Sequence, residues 1–145
     1  MKLKDAIYQF FLRWFPVIVS MGIIFFASAD QNPFLWLPAA WFDTSQGGDL
    51  TTEGVGQLGH FLEFALLGFT VLRAVIWQKD HSLKLFLISA AYCLVYAFSD
   101  EIHQLFVPGR AFQVQDLIID GMGIIVGILL QRILSRLSLG SRKFR

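Results

Sequence analysis

The strongest constraint on this chain is a set of four long apolar runs, at about residues 6–29, 58–77, 83–106 and 117–134, separated by stretches that hold most of the turn-forming residues. Each run is close to the roughly 20 residues that a helix needs to cross a bilayer core. Inside hydrocarbon a backbone must satisfy its own hydrogen bonds, and a helix does so within one segment. Composition points the same way: of 145 residues, 55% are hydrophobic, 15% aromatic and only 16% charged, well outside the range of a soluble domain. The sequence therefore predicts an all-α integral membrane protein with four transmembrane helices in a single domain. The lone cysteine, Cys93, lies in an apolar run and excludes an intramolecular disulfide. No nucleic-acid motif and no soluble repeat is present.

The first run follows a basic start, Met1-Lys2-Leu3-Lys4, and contains Pro16 near the beginning of its uncharged core. Ala27-Ser28-Ala29 also matches the end of a cleaved secretory signal. The length and Phe content of the run, with Phe10, Phe11, Phe15, Phe25 and Phe26, favour a retained helix. Between the first two helices, residues 31–57 combine loop signals (Asn32-Pro33, Gly47-Gly48) with Phe34, Trp36, Trp41 and Phe42. Aromatic rings of this kind suit headgroup depth, so a short interfacial segment is expected. A turn at Gln78–Ser82 separates the second and third helices, and Pro108-Gly109 should stop the third. In the fourth, Gly123 and Gly127 form a small-xxx-small pair that permits close helix approach.

Basic residues set the orientation. With the chain starting in the cytoplasm, Lys2, Lys4, Arg13, Arg73, Lys79, Lys84, Arg132, Arg136, Arg142, Lys143 and Arg145 all fall on the cytoplasmic side, eleven of the twelve Lys and Arg. The positive-inside rule thus predicts both termini cytoplasmic. Arg110 alone lies outside. Of the 11 acids, Asp5 and Asp80 fall inside and the other nine outside.

That orientation gathers the polar residues. Asp100, Glu101, His103, Gln104, Arg110, Asp116 and Asp120 follow one another within about twenty residues at the outer ends of the third and fourth helices, and His60 and Glu63 open the second. Ionisable groups beside apolar helices are costly and point to function. Residues three or four apart share a helix face, which aligns His60 with Glu63, Asp100 with His103 and Gln104, and Asp116 with Asp120. We expect an outward-facing polar pocket between helices two, three and four. His60, Glu63, Asp100, Glu101 and His103 are the candidate catalytic acid-base set, and Gln104, Arg110, Asp116 and Asp120 the candidate substrate-binding set. Simpler roles compete: Asp116 as a helix N-cap, Arg110 as a neutralising charge, His60 as a packing residue. His, Asp and Glu are also ligand types for a divalent metal. However, His60-x-x-Glu63 is not an H-E-x-x-H motif and no spacing matches a strong zinc signature, so no metal ligand and no cofactor are assigned.

The most specific of these residues resemble the VanZ family of small bacterial membrane proteins. They are Asp100-Glu101, Gln104, Pro108-Gly109-Arg110, Asp116, Gly123 and Gly127, with His60-Phe61-Leu62-Glu63-Phe64 and Leu67-Gly68 in the second helix. The similarity covers about Ser28 to Gly127. Gln57 departs from it, standing where Lys is common three residues before the histidine, as does Asp120 where Asn is usual. The resemblance implies a multi-pass protein of the bacterial cytoplasmic (inner) membrane, tied to the cell envelope or to susceptibility to glycopeptides such as teicoplanin. It transfers no catalytic residue. The expected function is binding or modifying an anionic amphiphilic envelope component, the partner being a membrane lipid or a lipid-linked envelope precursor. A small transporter or flippase using the same acids for proton or cation coupling, and a structural assembly protein, are the alternatives. Homo-oligomerisation stays open.

Overall fold

A computed structural model describes residues 3–30, 52–76 and 82–141. The described residues form helices α1 (Leu3–Ser28), α2 (Thr52–Val75), α3 (Leu83–Gln104) and α4 (Val114–Ser141). Leu3–Ser28, Gly54–Val75, Leu83–Gln104 and Val114–Leu137 are each long and apolar enough to cross a membrane. The interfacial segment expected after the first helix lies largely outside the described residues, including its four Phe and Trp side chains.

Of the helix boundaries that differ from the sequence reading, three bear on the polar residues. Helix α2 begins at Thr52, ahead of the expected start near Leu58, and so takes in Gly54, Gly56 and Gln57. Those glycines are poor helix formers, but Gly54–Gln57 is half-buried against the bundle, and packing overrides propensity. Helix α3 ends at Gln104, two residues before the expected limit. Beyond it Leu105, Phe106 and Val107 donate their N–H groups to carbonyls three residues back, and Gly109 adopts φ 80, a conformation that costs glycine little. Helix α4 begins at Val114, three residues early. Asp116 is therefore in its first turn rather than at its cap: the Gln113 carbonyl accepts the N–H groups of Asp116 at 3.1 Å and Leu117 at 3.3 Å. The competing reading of Asp116 as an N-cap therefore does not hold.

Helix α2 is the centre of the bundle, touching each of the other three and packing most extensively on α4. Phe64, Leu67 and Val71 of α2 meet Ile124 and Ile128 of α4, Val17 and Ile24 of α1, and Cys93 and Ala97 of α3 in one core. The outward faces carry large apolar side chains such as Phe11, Phe15, Phe26, Val95 and Ile118, as lipid-facing helices do.

Glycines permit the α2–α4 contact. A Cβ on Gly68 would lie 2.6 Å from the Ile124 carbonyl oxygen, one on Gly123 would strike the Phe61 carbonyl, and one on Gly127 the Ala65 carbonyl. Backbone thus meets backbone, as the small-xxx-small spacing predicts. At the far end of the bundle Arg13 donates from Nη1 to the Ile76 carbonyl at 3.2 Å. Gly127→Ala should lower thermal stability in detergent by about 1–3 kcal/mol, the usual cost of overpacking. Gly22→Ala, where an added Cβ meets nothing within 4 Å, should be neutral or stabilising by up to about 1 kcal/mol. Equal melting of the two variants would refute the contact.

Candidate functional site

The outer ends of all four helices, as the sequence assigns them, converge on one polar cluster. Asp100, Glu101 and Gln104 are buried on one face of α3, the last two with no exposed surface. Helix α4 supplies Asp116 and Asp120 one turn apart, 7% and 0% exposed. Helix α2 supplies His60, buried, and Glu63, half-buried. Burying this many ionisable groups requires partners, and the bundle provides some of them.

The strongest pairing crosses the glycine contact. His60 Nδ1 and Asp120 Oδ1 lie 3.0 Å apart, 60 residues distant in sequence. With the proton on Nδ1, the imidazole donates to the carboxylate, which fixes the tautomer and leaves the Nε2 lone pair for chemistry. Asp100 Oδ2 accepts from Ser28 Oγ of α1 at 2.8 Å and from Gln104 Nε2 at 3.1 Å. Glu101 Oε2 accepts the backbone N–H of Gln113 at 2.8 Å, which ties the end of α3 to the start of α4. The turn through Gly109 makes this closure geometrically accessible.

Satisfaction is incomplete at the centre. Glu101 Oε1, Gln104 Oε1 and Asp120 Oδ2 are buried without a hydrogen-bond partner among the described residues. One ligand atom from each of His60, Glu101 and Asp120 can be chosen so that all three lie within 4.8 Å of one another. Most buried polar atoms in proteins are paired, and each exception calls for an explanation, among them strain, a catalytic role or a bound water or ion.

The remaining candidates sit around this core. Glu63 is within electrostatic range of His60, Asp100, Asp120 and Arg110; Asp116 is within range of Glu101 and His60. Arg110 is half-buried on the α3–α4 turn, and among the described residues its guanidinium forms no ion pair with these acids. His103 turns the other way: its ring stacks on Phe25 of α1, with centroids 4.5 Å apart and planes 7° from parallel. Of the expected trio on α3, Asp100 and Gln104 bond each other while His103 packs against α1.

Ser28 is the contributor that the sequence reading passed over, having placed it in a cleavage-like motif. A signal for it exists. Ser20, Ile24 and Ser28 recur every four residues on an otherwise apolar helix, and all three are buried; Ser20 Oγ meets Thr70 Oγ1 of α2 at 3.3 Å.

A family model described as VanZ/LLP1 matches residues 10–135. The chain belongs to the VanZ/LLP1 family. The match spans all four helices and the whole polar cluster, and with the four apolar spans it makes this VanZ/LLP1 protein a multi-pass membrane protein. No curated protein and no solved structure matches it.

Ser28→Ala removes a buried donor to a carboxylate and should cost about 1.5–3 kcal/mol of stability. Ser99, whose hydroxyl is exposed and donates only to Tyr96 of its own helix, should tolerate the same change within about 0.5 kcal/mol. Thermal unfolding of the two variants in detergent measures the difference; a Ser28→Ala protein as stable as Ser99→Ala would refute the Asp100 bond.

Proposed function

We propose that this protein binds, and chemically modifies, an anionic amphiphilic component of the cell envelope at the outer leaflet of a bacterial cytoplasmic membrane. Both termini are cytoplasmic in this reading, which follows from the distribution of Lys and Arg and turns the polar cluster outward. The observation that carries the reading is the juxtaposition of a half-buried Arg110, unpaired with any acid among the described residues, and a largely buried acid-base set whose Glu63 lies within its electrostatic range.

Each part has a role that its chemistry supports. A guanidinium binds phosphate or carboxylate through two parallel hydrogen bonds, so Arg110 takes the anionic headgroup. Leu105 and Phe106 beside it are 56% and 80% exposed and offer apolar contact to acyl chains. His60, held by Asp120, is the proton acceptor and donor, and Glu101, Asp100 and Glu63 complete the acid-base set. Asp116 and Gln104 orient polar groups of the substrate. Hydrolysis or group transfer on a lipid-linked substrate is the matching reaction class, and the family's tie to glycopeptide susceptibility makes teicoplanin sensitivity of expressing cells an appropriate phenotype.

Arg110→Ala should weaken binding of an anionic phospholipid to the purified protein in nanodiscs by roughly ten- to a hundredfold, the range for losing hydrogen bonds to a charged group, while leaving the melting temperature unchanged. Unaltered lipid affinity would remove the basis for the assignment. Liposomes with labelled lipid then separate the rivals: a modifying enzyme yields a new chemical product, whereas a flippase yields only movement between leaflets. Orientation is tested in a Cys93→Ala background, where a cysteine at position 48 should react with an impermeant reagent applied outside and one at position 82 should not. The reverse pattern would place the site on the cytoplasmic side.

A further inference from the structure

We propose that His60, Glu101 and Asp120 form a binding site for one divalent transition-metal cation, Zn²⁺ or Mn²⁺, at the buried centre of the bundle. The three ligands come from three helices, α2, α3 and α4, which explains why no linear spacing in the sequence resembles a metal motif. One atom from each lies within 4.8 Å of the other two. Metal bonds of about 2.0–2.2 Å place neighbouring donors about 3.0–3.6 Å apart, so donors within 4.8 Å of one another need side-chain adjustment to close on an ion, and a cation held at His60 Nδ1 would replace the proton that this nitrogen shares with Asp120.

The second observation is independent of the clustering. Glu101 and Asp120 are both 0% exposed, and each keeps one carboxylate oxygen, Oε1 and Oδ2, with no hydrogen-bond partner among the described residues. These oxygens supply electron pairs at a place where no described donor meets them. Two carboxylates in a buried site repel, and a cation between them relieves the repulsion. An imidazole nitrogen with two carboxylates is a ligand set for Zn²⁺ or Mn²⁺; Mg²⁺ and Ca²⁺ favour oxygen alone. Three protein ligands leave a coordination position open, as catalytic sites do and closed structural zinc sites do not. Gln113, through its N–H bond to Glu101 Oε2, orients the acid from outside the coordination sphere. The inference goes beyond the lipid reading and does not require it, since metal is measured without lipid; with a cation bound, His60 and Glu101 act as ligands and leave Asp100 and Glu63 as the acid-base groups.

The test uses the full chain, purified in detergent, stripped with chelator and dialysed against Zn²⁺ or Mn²⁺ separately. About one equivalent of one of these metals per chain is expected, with a higher melting temperature in its presence. Glu101→Gln and Asp120→Asn should each weaken binding at least about tenfold, and Cys93→Ala should leave it unchanged. No stoichiometric metal on the wild-type protein, or wild-type affinity retained by both acid variants, overturns the site. A readout on the wild-type chain alone guards against variants that do not fold. Loaded with Co²⁺, it should show the d–d absorption of an ion held by nitrogen and oxygen, without the sulfur-to-cobalt charge transfer that Cys93 would add. Absence of that spectrum, or its appearance with sulfur charge transfer, overturns the assignment.

Discussion

Helices α2 and α4 lie backbone against backbone at Gly68, Gly123 and Gly127, and the polar site depends on that contact. Lipid offers no hydrophobic force to press two helices together, so close packing of small residues must do it. Along α4, Asp120, Gly123 and Gly127 recur at the spacing of one helix face. Along α2, Phe61 and Ala65 receive the glycines, and His60 stands next to them at the level of Asp120. A side chain larger than hydrogen at Gly123 or Gly127 would push the helices apart and open the 3.0 Å His60–Asp120 pair. Fold and site are therefore fixed by the same few atoms.

The other helices complete the polar end in different ways. Helix α1 brings a single hydroxyl, Ser28, to Asp100 and an aromatic face, Phe25, to His103. Helix α3 brings most of the charge and is closed onto α4 through Glu101 and the Gln113 N–H. Unpartnered oxygens lie on Glu101, Gln104 and Asp120, and His103 Nδ1, on the side facing α1, is also buried without a partner among the described residues. Helix packing alone could use hydroxyls and amides at lower desolvation cost than this many carboxylates. Arg110 stands half-buried on the turn between α3 and α4.

Much of this was legible in the sequence. Four apolar runs gave the helices, Pro108-Gly109 marked the end of α3, and Gly123 with Gly127 announced the close contact. The pairing inside the site was not legible. Spacing along one helix puts His60 beside Glu63 and Asp116 beside Asp120, whereas the bond that forms joins His60 to Asp120 across two helices. Which residues meet depends on how each helix is rotated about its axis, and no linear period fixes that. The same gap hid Ser28, whose partner is 72 residues away, and hid the grouping of His60, Glu101 and Asp120. Helix ends were misplaced for a related reason: Gly54 and Gly56 read as loop by propensity and become helical because the bundle packs on them.

A double-mutant cycle on His60→Gln and Asp120→Asn, read as unfolding free energy in detergent, is the most direct test that a close α2–α4 contact creates the site. A buried pair at this distance should show a coupling of about 1–3 kcal/mol between the two substitutions. Effects that add to within about 0.5 kcal/mol would mean that the two side chains do not meet, and that the site is not built as described.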